Sequence, residues 1–471
     1  MSVSEARSDV AALRHGFSGQ VLLPGDDGYD DRRRVWNAMV DRRPAIIARC
    51  ADAKDVAAAV RFGRTCGLEV GVRCGGHSIL GLPVSEGGLM IDMTPMDAVR
   101  VDPERRRAWV QGGAMLGALD RATQPYGLAT TAGNVSHTGV GGLTLGGGMG
   151  WLARGYGLAC DNVESFEIVT AEGAVLRADA GENADLFWGL RGGGGNFGVV
   201  TEFEFRLHET GTRSLLADLY FPLDEAEKAL GAWRDLLPDA PRQATFTAWV
   251  GTAGDWPHLP PELRGRPLAS VGYVWVGDPD EGRGLLSSLR ACGSPAAQRV
   301  TELSYVDLQT MDDTVEGHAV RRYWKGHYFR EFGDDAIRAF LARGLDDGGA
   351  DGRYLPNASL QAYGGAIADV PDHETAFSQR DALIEFVAAA RWTDPAEDDV
   401  RMAAARRYAA TLEPLASGAY VNSLTDEGAQ GVRRAYPPEK LARLTALKDK
   451  YDPGNVFHLN QNIRPGVKEN P

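Results

Sequence analysis

The chain has 471 residues, 44% of them hydrophobic and 24% charged, and carries a formal net charge of −14. That length is large for a single core, so two domains are expected, and the composition is that of a folded globular protein. The acidic balance argues against a nucleic-acid surface, and no apolar run reaches the roughly 18 residues of a membrane span.

The opening MSVSEARSDVAALRHG is polar and mixed in charge, with neither a signal-peptide core nor a twin arginine, which predicts a cytoplasmic protein. RRPAIIARC then supplies an apolar strand. Asp52 is placed to cap a helix that ends near Gly67 and buries Val56, Ala59, Val60 and Gly63. Val70 and Val72 alternate into a short strand that stops at Gly75, Gly76 and His77. A strand, a turn at Asp102-Pro103-Glu104, a second strand and a helix over about 115–124 follow.

Residues 131–162, TAGNVSHTGVGGLTLGGGMGWLARGYGLACDN, form a long glycine-rich stretch in a chain with 58 glycines. Such backbone can take positive φ and come close to a ligand, and its free N–H groups suit phosphate. A hairpin turning at Glu172-Gly173 leads to a second cluster, GGGGNFGVV, and a strand with Thr201, Phe203, Phe205 and Leu207 on one face. Near residue 210 the glycine clusters stop. Asp224 and Glu227 stand in capping-box spacing on a helix to Leu237. RQATFTAWVG, ASVGYVWVG and ASLQAYGGAI read as strands of one antiparallel sheet, and helices are predicted over 334–343, 376–390 and 398–412. The tail forms a helix from about Glu439 that DPGN stops.

No glycine cluster is followed by Lys-Ser or Lys-Thr, so a P-loop is excluded, and no GxSxG or HExxH stands in the chain. The five scattered cysteines form no CxxC pair, so no metal site is expected. Glycine-rich backbone from three places, 74–78, 131–150 and 192–198, is more than a lone phosphate needs. It suits an extended dinucleotide such as FAD.

RPAIIARCADAKDVAAAVRFGRTCGLEVGVRCGGHS, the 131–162 stretch, GGGGNFGVVTEFEF and the closing KDKYDPGNVFHLNQNI together resemble the berberine-bridge-enzyme-like branch of the FAD-linked oxidases, within the vanillyl-alcohol oxidase superfamily. The resemblance implies an α+β, two-domain PCMH-type FAD-binding fold. Residues 1–210 plus 413–471 would form the FAD domain, and 211–412 a substrate domain of antiparallel sheet covered by helices. It implies that His77, within Arg73-Cys74-Gly75-Gly76-His77-Ser78, bonds to the flavin 8α-methyl, and that Cys160, before Asp161 and Asn162, adds a second bond at flavin C6. Gly133, Ser136, Thr138, Gly139, Gly142, Gly146, Gly147, Asn162, Gly198, Val200, Asn460 and Asn462 are the further cofactor-binding candidates. The implied reaction is hydride transfer from an alcohol, amine or activated C–H of a small secondary metabolite or sugar, with O₂ as acceptor. A different acceptor, an oxygenating flavin and a flavin-binding protein without activity are the alternatives.

The family's Tyr-x-Asn-Tyr reads Tyr420-Val421-Asn422-Ser423 here. A serine hydroxyl cannot replace a phenol as a base. The role passes to the substrate strands, where Gln361 and Tyr363 share a face, as do Tyr420 and Asn422. Tyr323, Trp324, His327 and Tyr328 form an aromatic and basic group. Tyr363 is the first choice for acid–base work.

Overall fold

The computed structural model describes residues 10–345 and 354–466. Near the N-terminus, strands Gln20–Leu22, Ile46–Arg49, Leu89–Asp92 and Val70–Arg73 lie side by side in that order, and the last three run parallel. The helix Ala53–Cys66 makes the crossover. Asp52 accepts from the N–H groups of Lys54 and Asp55, and Gly67 closes the helix in the left-handed region, as the sequence predicts. Its apolar face packs on Ile46, Ala48, Leu89 and Ile91.

A second, antiparallel sheet has five strands in the order Val99–Asp102, Arg107–Gln111, Val199–Arg206, Val163–Val169 and Val175–Asp179. Phe203 and Phe205 point from it into a core shared with Trp188 and Phe197. Leu444 and Leu447 of the tail helix Pro438–Tyr451 enter the same core. The tail is pinned by Lys448, which is fully buried. Its ammonium donates to the carbonyls of Asn196 and Phe457 and to Asp452 Oδ2. Three acceptors around one ammonium offset its desolvation.

The third sheet is antiparallel and has seven strands: Ala297–Ser304, Arg213–Pro222, Pro267–Val276, Ala244–Thr252, Asn357–Ala362, Ile384–Trp392 and Arg321–Phe329. Helices Leu223–Asp235, Asp334–Ala342 and Asp398–Leu412 cover one face through Trp233, Phe340 and Tyr408. The capping box expected at Asp224 does not form, because the helix starts after Pro222 with no side-chain cap.

Two expectations in this region fail. Residues 376–390 are not a helix: 384–392 is a central strand of the third sheet, paired on both sides. Alanines 388–390 favour a helix locally, but two flanking strands satisfy the backbone of this segment and override that preference. The aromatic group of 323–328 is also split. The strand alternates, so Tyr323 and His327 fall on one side and Trp324 and Tyr328 on the other. No helix among the described residues is long and apolar enough to cross a membrane.

Candidate active site

The uncovered face of the third sheet looks onto the two glycine loops, and a cavity of about 540 Å³ lies between them. The first glycine stretch, Cys74 to Ser78, leaves strand Val70–Arg73 and forms one wall. Gly133, Thr138, Gly139 and Gly142 form the next, Gly198 and Val200 a third, and Asn460 closes the end from the tail. Close approach explains several of these glycines. A methyl group on Gly75 would stand 2.4 Å from the nitrogen of Gly139, so these two loop strands can touch only without side chains.

The wall fits a bound FAD on two observations. Methyl groups on Gly142 and Gly195, both on the wall, would meet no atom within 4 Å, so the backbone there faces open space. Several wall side chains also hold buried polar atoms with no partner: Asn134 Oδ1, Gln361 Nε2 and Asn460 Oδ1. Orphaned buried groups of this kind are costly unless a ligand pairs them.

His77 lies against this wall. Its ring stacks on Trp36 with centroids 4.5 Å apart and planes 14° apart. Nε2 is 2.8 Å from His137 Nδ1, and Nδ1 is 3.3 Å from Thr138 Oγ1. Burial first, then the neighbouring His137 and His318 rings, hold its pKa well below that of a free imidazole. A neutral ring with a lone pair is the nucleophilic form.

Facing the glycines is Glu385, which the sequence reading missed. It sits on strand Ile384–Trp392 and alternates onto the cavity wall with Val387, Ala389 and Arg391. Tyr363 donates to its Oε2 at 2.8 Å and Ser423 to its Oε1 at 3.1 Å. Burial raises the Glu385 pKa to about 7, partly countered by these two hydrogen bonds. The signal was present in the sequence: a lone carboxylate inside the apolar run IEFVAAARW. The helix expected over 376–390 concealed it, because helical spacing does not put 385, 387, 389 and 391 on one face.

The other expected catalytic residues take different places. Tyr363 is wholly buried and off the cavity wall, with its hydroxyl between Tyr328 Oη at 3.0 Å and Glu385. Burial raises its pKa well above a free phenol, and its hydroxyl donates to the Glu385 carboxylate. Gln361 is on the wall and accepts from Asn134 Nδ2 at 3.3 Å. Tyr420 and Asn422 are also on the wall, but they serve the glycine loop. The Tyr420 hydroxyl accepts from the Gly148 N–H at 2.8 Å, and Asn422 Nδ2 donates to Tyr420 and to the carbonyls of Gly142 and Leu143. Gly146 leaves the room that Asn422 fills, and Gly147 lies against Phe377.

Several cofactor candidates stand off the wall. Cys160 is fully buried in the apolar core with Met149 and Leu158, its sulfur 3.7 Å from Asp161 Oδ1, and burial raises its pKa well above that of a free thiol. It does not line the cavity wall. Asn162 donates its amide N–H groups to the Tyr156 and Leu158 carbonyls, and its Oδ1 accepts from His208 Nε2 at 2.6 Å. Ser136 binds Asp313 through its N–H and its hydroxyl. Arg73 anchors the end of its strand on buried Asp92, and Asn462 lies on the tail behind the wall, with its Oδ1 unpaired.

Residues 44–179 match the FAD binding domain family and residues 419–464 the berberine and berberine-like family. An uncharacterised FAD-linked oxidoreductase of Bacillus subtilis (strain 168) is 30% identical over 456 residues, covering 95% of this chain and 98% of that protein. The chain belongs to the berberine-bridge-enzyme-like family of FAD-linked oxidoreductases. Another relative in this family is the (R)-6-hydroxynicotine oxidase of Paenarthrobacter nicotinovorans, 30% identical over 468 residues, with 97% of this chain and 99% of that one covered. The crystal structure of 6-hydroxy-D-nicotine oxidase from Arthrobacter nicotinovorans superposes with a TM-score of 0.84 at 28% identity, over 96% of this chain and 99% of that one. The protein is thus an FAD-dependent oxidoreductase with the two-domain FAD-binding fold.

Proposed function

We propose that this oxidoreductase is an oxidase of small molecules in which Glu385 removes a proton from the substrate as hydride leaves the neighbouring carbon. Bound FAD would supply the hydride acceptor and pass the electrons to O₂. The observation that carries the reading is the Glu385 carboxyl: buried on the cavity wall, held on both oxygens, with a pKa of about 7. A base poised near neutral pH combines a large deprotonated fraction with useful basicity.

Tyr363 and Ser423 orient that carboxyl. Ser423 stands where many relatives of this type carry a tyrosine, and its hydroxyl donates to Glu385 Oε1, the carboxylate that this reading makes the base. Gln361 beside it offers an unpaired amide N–H to a substrate oxygen or nitrogen. Val387, Ala389 and Trp324 also line the cavity and give it an apolar section, with the Arg391–Glu316 ion pair on the same lining. That profile suits a ring-bearing alcohol or amine, and a relative at 30% identity is named for the oxidation of 6-hydroxynicotine.

In this reading His77 anchors the flavin covalently. Cys160 is read as an ordinary buried thiol. The test is a peroxide assay over ring-bearing amines, alcohols and sugars, followed by Glu385→Gln on whichever compound reacts. Glu385→Gln is expected to keep its flavin and lose turnover by about 10²–10⁴-fold. Equal turnover in the variant would end the reading.

A further inference from the structure

Three imidazoles, those of His77, His137 and His318, bring a ring nitrogen each to within 4.8 Å of one another. Only His77 is used by the reading above. We propose that His137 takes the proton that His77 gives up when its ring is joined to the flavin, and that His318 passes that proton to solvent. The proposal rests on His77 being the covalent anchor.

The geometry assigns the atoms. His77 Nε2 is engaged by His137 Nδ1 at 2.8 Å, so Nδ1, held only by Thr138 Oγ1 at 3.3 Å, is the nitrogen free to bond. Joining carbon to one nitrogen of an imidazole that keeps a proton on the other makes an imidazolium. A cation here is opposed by burial and by the neighbouring Arg322 and the two other histidines. Trp36 fixes the ring face, with the Arg322 guanidinium 3.9 Å from the Trp36 centroid. Release of the Nε2 proton to His137 leaves the linked ring neutral. His137 is half-buried and its Nε2 has no partner, while His318 is exposed with its ring centroid 5.3 Å away. The three rings therefore run from the half-buried nucleophile on the cavity wall to the exposed His318.

The step balances. One N–C bond forms between His77 and the flavin 8α carbon, one N–H bond and one C–H bond break, and the electron pair enters the flavin. Dioxygen then takes two electrons and two protons as hydrogen peroxide.

The test uses the full chain made in flavin-depleted cells, mixed with FAD in air, and follows the gain in intact mass and the flavin fluorescence retained on a denaturing gel. Wild type is expected to link FAD, and His77→Ala to bind it without linking. His137→Ala and His137→Gln are expected to take up FAD, seen by its visible spectrum, but to link it at least tenfold more slowly. Free imidazole in the buffer should speed His137→Ala. Linkage in His137→Ala at the wild-type rate overturns the proposal. So does a wild-type rate in His137→Gln, which would show that a hydrogen bond suffices. A rate that chelator or added zinc changes would instead assign the three imidazoles to a divalent cation, against the proposal. A wild-type chain that links no flavin, or His77→Ala that does, removes the anchor itself and is distinguished by these same samples.

Discussion

At the scale of single residues the proposed chemistry turns on Glu385. Its carboxyl must be ionised to accept a proton, so the rate of flavin reduction should rise with pH and level off above about 7. The same burial has a cost in stability. The folded pKa is raised from 4.5 to about 7. As pH climbs between those values the unfolded chain has released this proton and the native one retains it, so stability falls, by roughly 3 kcal/mol in all, and stays lower above. Glu385→Gln removes the titrating group. Melted side by side with the wild type, it should gain relative stability between pH 5 and pH 8. Cys160→Ser makes a separate claim. Its intact mass with flavin should match that of the wild type corrected for one sulfur-to-oxygen change, because the thiol does not line the cavity. His77, the glycine wall and the tail's Asn460 were legible in the sequence because backbone conformation and a six-residue motif carry them. Glu385 was not, since its role depends on which face of a strand it occupies.

Among the elements, the strand Ile384–Trp392 decides how the substrate face is built, and its local sequence misleads. Three alanines in a row favour helix, while pairing on both edges comes from strands 22 and more residues away in the chain. The Asp52 and Gly67 signals, by contrast, are local, and the helix between them formed as read. The loop that enters this strand is locked to the end of the glycine stretch by Arg380. Its guanidinium makes two 2.7 Å bonds to Asp161, each side chain 5% exposed. Arg380→Ala would strand a buried carboxylate. It should destabilise the protein by about 3–5 kcal/mol in urea unfolding, far beyond the effect of a surface pair such as Arg338–Glu227.

Taken whole, the molecule encloses its cavity between parts far apart in sequence: a histidine near residue 77, glycine loops near 140 and 195, a sheet from 213 to 392 and a returning tail. The fold class followed from the motifs and the change in character near residue 210. The pairing of Glu385 with Ser423 and Tyr363 followed from neither, because only the assembled sheet brings them together. In the proposed reading each layer has a distinct task, with the glycine wall facing the cofactor and the strand wall facing the substrate. The most direct test is anaerobic mixing of a substrate with flavin-loaded wild type and Glu385→Gln while flavin bleaching is followed across pH 5 to 9. Wild type should speed up through about pH 7 and plateau, and Glu385→Gln should bleach at least 10²-fold more slowly with no such rise. Bleaching of Glu385→Gln at the wild-type rate, with the same pH profile, would contradict the assignment of Glu385 as the base.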